Sequence, residues 1–478
     1  MLNFADFLIK KNKSKKKIVF KGKKLTYSEL YDKVKELSQN LFFKNKNELI
    51  GLRLDNSEEF LILYLSIIKS GNIAVIIDKG LSEVTFKSLL IKFKIDKFIG
   101  DIDFDVYDTL NPNDSKNISQ KLNSKKPIFY HIKKVKKISF TTNLKDVAII
   151  LFTSGSTGLK KGVMLTHKNL ISNTKSILKI LPIKSSDITN MLLPVSYSFG
   201  LSILNTHLKK AASIFIHTSP FIGSIISEIK KYKCTSFYGV PSTFQILLEK
   251  TDFIKKNFVT LRYIGQAGGK LDPKYIKILL TRYTNKLHVM YGATEASPRL
   301  SHMPPKYLNQ NMESIGIPIP GVKFKLFKIK NSSKFQLGVS GPNIMKGYLN
   351  EKKNTKNILT NKFFLTGDIA FKDKNNFYFI EKRMDKIIKR FGYKINLNVI
   401  ENTIKSIPYI KKSSLIIDAN NQMICFALVP KSKLKVAETH INNLLVKKFT
   451  TYEIPDKINL SYKENKFFNK KISLEEIY

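Results

Sequence analysis

The stretch that most constrains this chain is DVAIILFTSGSTGLKKGVMLTHKNL, at 146–170. VAIILF has the unbroken apolar character of a strand covered on both faces. It runs straight into Thr153-Ser154-Gly155-Ser156-Thr157-Gly158, then Lys161-Gly162, and a helix is expected from near Thr166. Glycines let a backbone approach an anion, hydroxyls and free amides supply donors, and a lysine adds a point charge, so the loop suits polyphosphate. It is not a Walker A loop, because no spaced glycine leads into a Gly-Lys-Ser/Thr triplet. A flexible Ser/Gly turn is the plain alternative, and six small or hydroxyl residues directly between a buried strand and the lysines do not fit it.

At 478 residues the chain is too long for one compact core. Segment 48–78 reads as strand, helix, strand: ELIGLRL is apolar, Asn56 stands as N-cap before Glu58 and Glu59, and Gly71 follows the periodic FLILYLSIIKS. Helical and strand periods keep alternating, ISEIKKYK to TSFYGV, PSTFQILLEK to TLRYIGQAGG, PKYIKILLTRY to KLHVMYG, which builds an α/β fold. Over 101–144 Lys, Asn and Ser dominate, and a loop-rich connection is expected. After about Asp385 the units shorten: a helix over 397–407, strands SSLIID and MICFALV, a helix over 436–449 and a strand near 457–462. The expectation is a large N-terminal domain of mixed sheets with flanking helices over 1–384, and a small α+β C-terminal domain over 385–478.

Composition narrows the class. Hydrophobic residues at 43% and charged residues at 25% are globular values that exclude a disordered chain. No apolar run reaches the length of about 18 residues needed to span a bilayer. The N-terminal MLNFADFLIKKNKSKKK has too short an apolar core for a signal sequence, so a cytoplasmic protein without a transmembrane segment is expected. Cys234 and Cys425 are too few for a disulfide framework and lack paired metal-ligand spacing. The net charge of +45 would ordinarily point to polyanions. Of the 82 cations, however, only six are Arg, and the lysines are spread along the whole chain, as AT-rich coding bias would produce. Solvated faces are the better reading, ahead of nucleic-acid binding.

The phosphate loop and five further motifs, in order, resemble the adenylate-forming superfamily of acyl- and aryl-CoA synthetases, luciferases and peptide-synthetase adenylation domains. Lys160 stands where that family usually has proline, and LTYSELYDKVKELSQNL at 25–41 is similar to its N-terminal helix, so the resemblance covers nearly the whole chain. In Tyr291-Gly292-Ala293-Thr294-Glu295 it implies Tyr291 on adenine, Thr294 on the α-phosphate and Glu295 on Mg²⁺, a dication that prefers carboxylate and phosphate oxygens. Gly268 and Gly269 resemble the segment lying against the adenine. Thr366-Gly367-Asp368 resembles the motif whose aspartate accepts from both ribose hydroxyls. Arg383 takes the family's arginine position near ribose and phosphate, and Asp385 the hinge of a mobile C-terminal domain, with Lys382 in place of the usual glycine. Gly392 in FGYKI resembles the loop glycine that enters the site for the second half-reaction. Asn469-Lys470-Lys471-Ile472 is similar to an Asn-Gly-Lys-Ile pattern and makes Lys471 the implied catalytic lysine, with Lys470 replacing glycine. Alone, each short motif would read as a turn or a surface charge.

The resemblance implies activation of a small carboxylic acid by ATP and Mg²⁺, with release of pyrophosphate, then acyl transfer to coenzyme A. A carrier-protein phosphopantetheine thiol is the alternative acceptor, which would make an acyl carrier protein a partner. A non-catalytic basic polyanion binder is the alternative of another class. The implied acyl pocket is Tyr197, Ser198 and Phe199 in LPVSYSFGL, Tyr238 and Gly239 in FYGVPS, and Gln266 with Ala267; plain core packing accounts equally well for its aromatics. No acid lies between Leu193 and Leu201, where amino-acid-activating relatives place an aspartate.

Overall fold

A computed structural model of the chain describes residues 3–9, 17–20, 23–40, 43–95, 97–100, 108–109, 128–131, 143–154, 160–217, 221, 223–254, 258–283, 286–384, 387–391, 393–418 and 422–463. It separates into two compact units. One comprises Met1–Lys79, Phe93–Thr153 and Lys161–Met384; the other comprises Gly80–Lys92, Ser154–Lys160 and Asp385–Tyr478. The α/β expectation holds.

In the larger unit, one sheet has a parallel centre of Lys97–Gly100, Leu49–Arg53, Ile73–Ile76 and Val147–Ser154. Every residue of Leu49–Arg53 and Ile73–Ile76 is buried, as expected of strands covered on both faces. The helix Glu58–Lys69 between them is capped by Ser57, whose side chain accepts from Phe60 N at 3.0 Å. Asn56, the expected cap, instead grips a distant backbone: its Nδ2 donates to Leu193 O at 3.0 Å and its Oδ1 accepts from Val195 N at 2.8 Å. Segment 160–166 is a strand, Lys160–Thr166, before the expected helix, which runs His167–Ile180 from the capping residue Thr166. Nor is 101–144 wholly loop: Ile128–His131 pairs antiparallel with Lys97–Gly100.

Among the described residues the larger sheet orders fourteen strands. Ile188–Met191, Ser213–Ile216, Ser236–Gly239, Tyr263–Gln266 and Leu287–Gly292 form its parallel part. Arg299–Met303, Ser314–Pro318, Tyr378–Arg383 and Phe363–Lys372 continue it in antiparallel pairs. The change of direction after Leu287–Gly292 is where the Tyr291 motif falls.

The smaller unit carries the helix Leu397–Lys405, strands Lys412–Ile417, Met423–Leu428 and Lys457–Ser461, and the helix Leu434–Lys448 around a core that includes Ile400, Leu415, Cys425 and Ile441. A ribbon of Ile387–Arg390 with Tyr393–Asn396 precedes them. Arg390 is anchored there by Asp456 and by Ile454 O at 3.0 Å. Among the described residues no helix is long and apolar enough to cross a membrane.

Candidate active site

Three motif residues far apart in sequence meet in one hydrogen-bonded group. Strands Phe363–Lys372 and Tyr378–Arg383 pair so that Asp368 faces Arg383. Arg383 Nη1 donates to Asp368 Oδ1 at 2.7 Å, and Nη2 to Thr366 O at 3.2 Å. The Tyr291 hydroxyl donates to the other oxygen of Asp368. Burial, and then the Asp368 charge, raises the Tyr291 pKa well above its ordinary value, so the phenol stays a donor. Gly367 has φ +77°, a conformation that strains other residues, and a Cβ there would stand 2.8 Å from Arg383 Nη2, so a larger residue would push the end of the arginine aside.

A second group surrounds Glu295, only 3% exposed on the turn Thr294–Ala296. The Tyr348 hydroxyl donates to Glu295 Oε1 at 3.0 Å, and Lys161 Nζ stands 5.1 Å over the Tyr348 ring. Burial and the adjacent Glu295 both push the Tyr348 pKa up. This array depends on Gly347–Tyr348 pairing antiparallel with Lys160–Thr166, Tyr348 opposite Val163. The sequence reading missed Tyr348, which carries no local signal and reaches the site only through strand pairing. Thr153, at the end of its strand, is buried with its Oγ1 unpartnered among the described residues, as a donor kept for phosphate would be. The Ser154 backbone ends the same strand. Gly155, Ser156, Thr157, Gly158, Asp385, Gly392 and Lys471 lie outside the described residues.

A buried carboxylate and a lysine that share Tyr348 as neighbour suit ATP with Mg²⁺, which usually takes one or two protein carboxylates and completes its shell with phosphate oxygens and water. Among the described residues no cluster of three or more His, Cys, Asp or Glu would hold a metal by itself. Glu295 is therefore the carboxylate that would hold the ion, with phosphate supplying the rest.

The expected pocket residues also gather. Ser198 Oγ lies 3.2 Å from Thr294 Oγ1. Phe199 and Tyr238 meet edge to face at 6.1 Å, and both pack in one cluster with Leu193, Val240, Ala267 and Met290, against which Tyr197 lies. Gln266 is fully buried, its Nε2 donating to Gly269 O at 2.9 Å and its Oε1 unpartnered. Gly268 has φ +90°, and a Cβ there would come within 3.0 Å of the Tyr197 hydroxyl. Gly239 ends the strand Ser236–Gly239 beside them. Lys382, in the hinge motif, occupies an ordinary strand position opposite Ile369. A cavity walled by Phe60, Met191, Leu204 and Ile216 shares none of these site residues.

The chain matches the family described as AMP-binding enzyme over residues 8–349, well over half its length. It is 26% identical over 426 residues, 83% of this chain and 74% of the relative, to 4-coumarate–CoA ligase-like 6 of Arabidopsis thaliana. It is 30% identical over 285 residues to a probable 4-coumarate–CoA ligase 2 of Dictyostelium discoideum, covering 57% of this chain and 51% of that relative, so the match spans about half the latter's length. Its fold is that of a double mutant of o-succinylbenzoate CoA synthetase from Bacillus subtilis, with TM-score 0.81, 18% identity, and 100% of this chain and 98% of that one covered. With the phosphate loop and the Tyr291 to Glu295 signature both inside the matched span, the chain belongs to the AMP-binding enzyme family of the adenylate-forming superfamily.

Proposed function

We propose that the chain joins a carboxylic acid to AMP and then passes the acyl group to a thiol, that of coenzyme A. A carboxylate oxygen attacks the α-phosphorus of ATP, the bond to the bridging oxygen breaks and pyrophosphate leaves. In the second step a thiolate attacks the acyl carbonyl and AMP leaves. The observation that carries this reading is the Tyr291, Asp368 and Arg383 group, an acceptor for ribose hydroxyls held in place by two donors.

The work asked of the protein is positioning and neutralisation, since acid and triphosphate are both anions. Thr153 and Lys161 would donate to phosphate, and Thr294, steadied by Ser198, would meet the α-phosphate. Mg²⁺ on Glu295 would supply charge neutralisation between the two anions. Lys471 would bridge the two reactants in the first step. Rotation of the C-terminal domain about Asp385 would then withdraw it and present the Gly392 loop.

Carboxylate-dependent exchange of pyrophosphate into ATP, run over a panel of acids, tests the first step. Lys471→Ala should abolish exchange yet keep thioester formation from supplied acyl-adenylate; retention of exchange removes Lys471 from its role. Thioester yield with coenzyme A against a holo-carrier protein decides the acceptor. Exchange with no acid, together with oligonucleotide binding that falls steeply with salt, would favour the polyanion-binding alternative.

A further inference from the structure

Six arginines stand among 76 lysines in this chain, so the places that keep a guanidinium are informative. Arg262 pairs with Asp187, Arg383 with Asp368 and Arg390 with Asp456, while Arg282 is exposed. Arg53 donates to Lys79 O at 2.7 Å. Arg299 stands apart by its place, beside Phe199, Tyr197 and Tyr238. It is 2% exposed, its Nε has no hydrogen-bond partner, and among the described residues no carboxylate pairs with it. Burying an unpaired cation is costly, and a chain tolerates it where something else supplies the anion.

The surroundings of Arg299 are the expected acyl pocket. Its guanidinium carbon lies 4.7 Å over the Phe199 ring. Tyr197, Tyr238 and His302 are polar side chains close enough to interact with it electrostatically, and burial lowers its pKa only to about 10, so it stays a cation at neutral pH. Ser198, next to Phe199, touches Thr294, so a short path leads from the expected α-phosphate contact to the guanidinium. The Arg299 backbone is pinned on both sides. Its N donates to Asn173 Oδ1 at 3.1 Å, and its O accepts from Asn173 Nδ2 at 2.8 Å and Asn343 Nδ2 at 3.1 Å. Nearby His302 is held neutral by burial and by its partner His288, which it meets at 2.9 Å, so neither ring adds a second positive charge beside the guanidinium.

We infer that Arg299 is a specificity residue that binds a second anionic group at the far end of the acid substrate. The inference rests on the adenylation reading above and adds to it a substrate class: carboxylic acids that carry a second negative charge. A guanidinium walled by Phe199, Tyr197 and Tyr238 would meet that group away from water, where a charge-assisted hydrogen bond is strong.

The test is pyrophosphate exchange by the full chain with matched acids: hexanoate against adipate, octanoate against suberate, cinnamate against 4-carboxycinnamate. The diacid of at least one pair should be preferred by about 100-fold in kcat/KM, the scale of a buried charge pair. Arg299→Met should collapse that ratio, and Arg299→Lys should restore part of it. A wild-type preference for the monoacid in every pair overturns the inference, needs no variant to fold, and leaves adenylation standing. An unchanged ratio in Arg299→Met overturns it equally. Exchange with no acid overturns the adenylation reading and this inference with it.

Discussion

At the proposed nucleotide end of the site, the Asp368 carboxylate is met on one oxygen by Arg383 and on the other by Tyr291. At the proposed acyl end, the Arg299 guanidinium is met by an aromatic ring and by no anion among the described residues. Both charges are buried, yet among the described residues only one is answered by an opposite charge. On the proposed reading the nucleotide is the same in every turnover, so its subsite can be pre-organised by internal pairs that a ribose hydroxyl would join without rearrangement. The acid is what distinguishes members of such a family, and a charge left open there selects by what it lacks.

The comparison is broken or sharpened most directly at Asp368. Asp368→Ala removes the shared acceptor and leaves Arg383 and Tyr291 unanswered; exchange should fall by about 10³-fold in kcat/KM, alike for every acid. A loss that varied with the acid would erase the division between the two ends. The next effect is the collapse of diacid preference in Arg299→Met, about 100-fold and confined to the acid's tail.

The histidine pair beside Arg299 gives a stability test. Burial lowers the pKa of His288 to about 4 and of His302 to about 3, both below the ordinary 6.5. The unfolded chain therefore binds protons that the folded chain refuses once the pH drops below 6.5. Stability should fall with acidification from there toward about 4, by up to about 1.4 kcal/mol per pH unit for each histidine. Urea unfolding at pH 7 and pH 5 measures this, and His302→Gln should flatten the dependence. A dependence of equal slope in that variant would mean the pair is not held neutral. The smallest effect belongs to Tyr348→Phe, which deletes the hydroxyl on Glu295. Exchange should fall by about tenfold through the requirement for Mg-ATP, without changing the preference among acids.

Much of the fold around the candidate site was legible because its signals are local. VAIILF is a strand, Thr166 caps its helix, and the alternating periods between Ser224 and Gly292 fall where the helices and strands lie. Asn56 was misread as a cap because Asn and Ser are equally good caps and the two are adjacent; the backbone of the distant segment at 193–195 claimed Asn56 and left the cap to Ser57. Tyr348 and Arg299 went unnoticed because neither lies in a run with a chemical pattern of its own. One is placed by pairing with a strand almost two hundred residues earlier, and the other by two asparagines on separate segments.

The order of residues alone settled most of the inventory of strands and helices, and it raised the expectation that a glycine-and-hydroxyl loop with a following lysine suits phosphate. Those properties arise from backbone preference and side-chain chemistry within a few neighbours. Only the tertiary structure decided which charges are answered. Antiparallel register sets Arg383 against Asp368, while the packing around Phe199 encloses Arg299 without an acid among the described residues, because burial and partnership are properties of contacts between distant segments.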